Sequence, residues 1–153
     1  MTAKSTPDVL NALVRVILVK TAAKPAPPLY QLQTASAALA DFGGLCAYCR
    51  ERPPVEFDHA VPQNREYRGE HCIGNLIPSC NKCNNEKKEQ DFRQFLSGNK
   101  DGAQQIAKIL AYMKANGYTP YDDPAIKALI ETARADVTNI IDKCVAEIRL
   151  RRG

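Results

Sequence analysis

The sequence predicts a mainly α-helical protein with a small, metal-held, loop-rich module embedded in it. Three observations carry that prediction. Apolar residues recur at helical spacing near both ends of the chain, the periodicity vanishes between Leu45 and about Cys80, and two Cys-x-x-Cys pairs stand at the edges of that aperiodic stretch. With 153 residues, 44% hydrophobic and 25% charged, the chain has the composition of an ordinary globular protein, which excludes disorder throughout. No run approaches the roughly 18 to 20 uninterrupted apolar residues of a membrane span. The best candidate, Val9 to Val19, carries Asn11 and Arg15. No small-residue cleavage pattern follows it, so a cytosolic protein is expected. The 21 basic and 17 acidic residues leave a charge of +4, which permits a nucleic-acid partner without requiring one.

Element by element, Thr6-Pro7-Asp8 combines a capping hydroxyl with a first-turn proline, and Val9, Leu10, Leu13, Val14, Ile17 and Leu18 follow at helical spacing, so residues 1–20 hold an N-terminal helix. Lys24-Pro25-Ala26-Pro27-Pro28 makes 21–29 a stiff extended linker. Within 30–44 a short helix from Thr34 to Phe42 ends at Gly43-Gly44. The aperiodic module occupies 45–97, and 98–153 is a C-terminal helical region. Helical texture returns after Cys80, where Phe92, Phe95 and Leu96 share one side, Ile106, Ile109, Leu110 and Met113 follow, Asn116-Gly117 stops the helix, and a last helix begins near Asp123-Pro124. Its seam of Ile126, Ile130, Ala133, Val137, Ile140, Cys144 and Ile148 suits either the N-terminal helix or the same helix of a second copy, which would make a homodimer. Cys144, on that seam, is expected to be a buried, unreactive thiol.

Cys46-Ala47-Tyr48-Cys49 and Cys80-Asn81-Lys82-Cys83 can each present two thiolates from one tight turn, and together they supply the four sulfurs of a tetrahedral structural zinc site. A reducing compartment favours this reading of the cysteines over disulfides. Zinc would then contribute folding free energy to a segment with few apolar residues. Cys72 beside His71 is too little for a second metal site, and His71 reads as a surface loop residue.

Between the pairs, Val55 and Phe57 alternate with Glu56 and Asp58, which predicts a short strand ending at His59. Adjacent Asp58 and His59 would point to opposite sides of it and serve separate roles. Cys-x-x-Cys, then Asp58-His59-x-x-Pro62, then Asn75-Leu76-x-Pro78-x-Cys80-x-x-Cys83-Asn84-x-x-Lys87, resembles the zinc-containing HNH endonucleases of the ββα-metal superfamily over Leu45 to about Phe95. The resemblance implies a β-hairpin followed by a helix, with zinc outside the reaction centre. It implies that His59 is the general base, that Asp58 and Asn84 ligate a catalytic divalent cation, Mg²⁺ or a substitute such as Mn²⁺ or Ni²⁺, and that Asn75 fixes the loop that orients His59. Asn84 is equally suited to capping the helix after the zinc turn. Lys87, on the same helical face as Asn84, is expected to reach a phosphate oxygen.

The loop residues Arg65-Glu66-Tyr67-Arg68 replace the glycine-rich stretch common in that family and offer Arg68 as a further DNA contact. The function so implied is metal-dependent hydrolysis of DNA, leaving 5′-phosphate and 3′-hydroxyl ends. Its rivals are a catalytically inactive zinc-dependent nucleic-acid-binding module and a nuclease acting on RNA or structured junctions.

Overall fold

The computed structural model describes residues 6–22, 26, 35–64, 66–120 and 124–152. Its elements are α1 (Thr6–Thr21), α2 (Ser36–Asp41), β1 (Glu56–His59), β2 (Leu76–Ser79), α3 (Asn81–Lys87), α4 (Phe92–Leu96), α5 (Gly102–Ala115) and α6 (Pro124–Arg152). The side chain of Thr6 and the proline-rich linker, Ala26 apart, lie outside what is described. Helices outweigh a single small sheet, and β1, β2 and α3 form a ββα unit with the four cysteines beside it.

The helices end where the backbone chemistry demands. Gly43 and Gly44, both at positive φ, let Gly44 N–H reach back to Leu39 O at 2.8 Å and close α2. Gly117, at φ 69°, does the same for α5, with Tyr118 N–H donating to Met113 O at 2.9 Å. Asp91 caps α4 by accepting from Arg93 N–H at 2.8 Å. Cys80, not Asn84, holds the cap position of α3, so the capping role considered for Asn84 is corrected: it lies one turn inside the helix.

Strands β1 and β2 pair antiparallel, with Glu56 opposite Ser79, Phe57 opposite Pro78, Asp58 opposite Ile77 and His59 opposite Leu76. A proline is tolerated in β2 because each strand of a two-stranded sheet has a free edge. Pro78 still accepts a hydrogen bond, from Ala47 N–H at 2.8 Å, which docks the first cysteine turn onto the hairpin. The hairpin's buried face joins Phe42, Tyr48, Phe92, Leu96, Ile109, Tyr112 and Met113 in one core, with Phe42 and Tyr112 edge to face at 5.2 Å. That core crosses the boundary expected at 97/98, because α5 packs on α4 and on the hairpin instead of opening a separate helical region. Leu110, expected on the apolar side, is exposed.

A second, smaller core joins α1 to α6 through Val14, Leu18 and Ile130, flanked by Ile17 and Ile126. The seam of α6 is therefore split. Its inner end finds the N-terminal helix, while Ile140, Cys144 and Ile148 are exposed, so the buried Cys144 thiol expected from periodicity is corrected. A helix of 29 residues extends about 43 Å at roughly 1.5 Å per residue and outruns the 16 residues of α1 that could cover it. No helix among the described residues is long and apolar enough to cross a membrane.

Because the two cores are separate, damage to one should spare the other. Leu18→Ala leaves a cavity between α1 and α6, worth about 2–5 kcal/mol for a fully buried leucine. Limited trypsin digestion should then cut α1 and α6 first while the four-cysteine cluster stays intact. Digestion spread evenly over the chain would show that the cores unfold as one.

Candidate active site and metal centre

The sulfurs of Cys46, Cys49, Cys80 and Cys83 lie within 4.8 Å of one another. A tetrahedron of sulfurs around zinc, with bonds of about 2.3 Å, has edges of about 3.8 Å, so the set needs only slight contraction to close on the ion. Cys49 Sγ and Cys80 Sγ are 4.0 Å apart. Burial raises the Cys46 and Cys83 thiols, and neighbouring sulfurs push the same way. At Cys80 burial also opposes ionisation, but hydrogen bonds from Cys83, Cys46 and Arg52 outweigh it and bring the thiol down to about 7. Four crowded sulfurs resist becoming thiolates together unless a cation shares their charge, so this donor set fits a zinc ion.

The first cysteine turn does a second job. Tyr48, buried between Cys46 and Cys49, donates its hydroxyl hydrogen bond to Asp58 Oδ2 on β1. Burial and the Asp58 charge both raise the phenol well above its ordinary value, which keeps it a donor. Lys87 Nζ, on the last turn of α3, lies 2.9 Å from the same Oδ2 and donates to His59 O at 2.8 Å. The Tyr48 and Lys87 contacts of the carboxylate both fall on Oδ2, which leaves Oδ1 without a partner among the described residues. Lys87 is fully buried. The phosphate contact expected of it is corrected on that ground, since its ammonium is committed to Asp58 and to the strand backbone.

His59, the next residue on β1, meets a different partner. Its Nε2 lies 3.0 Å from His71 Nδ1, the imidazoles being the only two in the chain. Burial pushes His59 down to about 3, and the charges of His71, Lys87 and Arg15 act in the same direction, so the ring stays neutral. His71 is thus a partner of His59, which corrects its reading as a surface loop residue. Asn75 is fully buried and spans the loop between the strands. Its Oδ1 accepts from Val61 N–H at 2.8 Å, and its Nδ2 donates to Val61 O at 2.9 Å and Glu70 O at 2.8 Å. Its backbone O accepts from Ala60 N–H, so the residue after His59 is fixed twice over.

Asp58, His59 and Lys87 border one cleft of about 290 Å³, walled also by Arg15, Pro62, Gln63, Asn64, Lys88 and Glu89. Asn84 stands one turn before Lys87 on α3 and is not among the residues lining it. Arg68 lies on a neighbouring cleft and is tied by Nη1 to Glu66 O at 3.0 Å. Sequence reading missed Tyr48 and Arg15. Tyr48 carried a signal, because a tyrosine inside a buried metal turn must find a partner for its hydroxyl.

Residues 46–90 match the family model described as HNH endonuclease. The matched segment takes in both cysteine pairs, β1, β2 and α3, and leaves α1, α4, α5 and α6 outside. No curated protein and no solved structure matches the chain.

Metal analysis of protein purified without added zinc should give about one zinc per chain, and Cys80→Ser should lower thermal stability. Metal-free protein that keeps its full unfolding transition would remove the structural role. Tyr48→Phe preserves the shape of the turn but deletes a hydrogen bond to a charged group, a loss of about 1.5–3 kcal/mol. Unfolding midpoints should fall while zinc content holds; equal midpoints would show that the hydroxyl does not restrain Asp58.

Proposed function

We propose that the protein is a metal-dependent HNH endonuclease that hydrolyses phosphodiester bonds of DNA. The observation that carries this reading is the joint placement of Asp58 and His59 on one cleft, with one carboxylate oxygen unengaged and the imidazole neutral. Asp58 Oδ1 would hold a divalent cation, and the side-chain oxygen of Asn84, which does not line the cleft, would join it by turning toward the metal. Hard oxygen donors carrying little charge suit Mg²⁺, which also accepts phosphate oxygen. When bound, such a cation supplies stabilisation of charge on the phosphate and on the leaving 3′ oxygen.

The rest belongs to the chain's own groups. His59 Nε2 and His71 Nδ1 are 3.0 Å apart, and in the tautomer where Nε2–H is the donor His59 Nδ1 is the atom that takes a proton from the attacking water. Asn75 keeps the strand end and loop in register during that transfer. Water attacks phosphorus in line with the 3′ oxygen, and the products are a 5′-phosphate and a 3′-hydroxyl. One centre cuts one strand, so a double-strand break requires a second copy or a second event.

Purified protein with Mg²⁺ should nick supercoiled plasmid, and His59→Ala should slow nicking by about 10²–10⁴-fold while affinity for DNA changes little. Cleavage of RNA alone would replace the substrate. Binding without any cleavage by the unaltered protein would favour the inactive zinc-binding module.

A further inference from the structure

We infer that helices α1 and α6 form the second wall of the nucleic-acid cleft, with Arg15 of α1 as a phosphate-binding residue at the reaction centre and Lys127 of α6 as its continuation. The inference rests on the nuclease reading and extends it to helices that lie outside the family match.

Two clefts meet on this side of the molecule. The one bordered by Asp58 and His59 shares Arg15, Gln63, Asn64 and Glu89 with a neighbouring cleft of about 500 Å³, to which Asn11, Arg68 and Lys127 also belong. Asn11 and Arg15 are one helical turn apart on α1, so they present one face. On the adjoining face Val14 and Leu18 pack on Ile130 of α6, which sets the position of that face against α6. Arg15 is near enough to His59 for its charge to act on the imidazole.

Two lysines also line the cleft: Lys88 is exposed, at the end of α3, while Lys87 is spent on Asp58. Arg15 has no such commitment. Its Nη2 meets Glu89 Oε1 at 3.8 Å, with both side chains more than half exposed, and an exposed pair of that kind is worth about 0–1 kcal/mol. A phosphate offering bidentate, charge-assisted hydrogen bonds displaces it readily. A second observation points to the same occupant. Gln63, which borders both clefts, buries its Nε2 donor with no hydrogen-bond partner among the described residues. A buried donor without an acceptor is costly, and a turn of the Gln63 side chain toward a phosphate oxygen in the cleft would satisfy it.

The test is binding of a fluorescently labelled 16-base-pair DNA duplex by fluorescence anisotropy across a salt series with Mg²⁺, in the cleavage-silenced His59→Ala protein. Arg15→Gln should weaken binding severalfold and make the plot of log affinity against log salt shallower by about 0.9, the value for one lost phosphate contact. Adding Lys127→Gln should roughly double that change. Glu89→Gln should tighten binding by releasing Arg15, whereas Arg151→Gln, at the far end of α6, should change neither quantity. Duplex binding with an unchanged salt slope in Arg15→Gln overturns the inference and leaves the nuclease reading standing. Failure of the His59→Ala protein to bind the duplex at any salt overturns both.

Discussion

The contact on which the module depends is the meeting of Lys87, Asp58 and Tyr48 at one carboxylate oxygen. It brings together a residue from the last turn of α3, one from β1 and one from inside the first cysteine turn. Burying an ammonium and a carboxylate costs several kcal/mol each, and their attraction offsets this only when further hydrogen bonds complete the set. Those bonds are present here, from the Tyr48 hydroxyl to Asp58 and from Lys87 to His59 O. The consequence is positional more than energetic. A carboxylate on β1 held at one oxygen from two other segments presents the other in a fixed direction.

A similar economy governs the loop between the strands. The segment contains too few apolar side chains to order itself by burial, and it is held instead by polar groups used to capacity. The side chain of Asn75 makes three hydrogen bonds to the backbone at Val61 and Glu70, and the cysteine turn is docked through Ala47 and Pro78. Leaving any of these buried groups unpaired would cost about 1–3 kcal/mol. That penalty is what keeps His59 at the end of β1 facing His71. Order in the loop and orientation of His59 are therefore one constraint.

The flanking helices divide between two tasks. Helix α5 completes the core beneath the hairpin, with Tyr112 donating to Leu76 O at 3.3 Å. The α1–α6 pair keeps its own small core, and Arg15 and Lys127 project from it onto the clefts beside the strand.

The sequence by itself determined the helical frame, the four-cysteine set and the adjacency of Asp58 and His59. Each of these is local: helical periodicity, turn residues such as Gly43-Gly44 and Gly117, and Cys-x-x-Cys spacing are properties of a few neighbouring residues. Partners separated in the chain were decided by tertiary structure alone. Lys87 looked like an exposed helical cation until the hairpin brought Asp58 against it, 29 positions away in sequence. His71 looked like a loop residue until loop closure set it against His59. Cys144 shared the spacing of a buried seam, but α1 is shorter than α6 and covers only its inner end. Periodicity specifies which face of a helix is apolar. What meets that face, and which charges meet each other, depends on how distant elements pack.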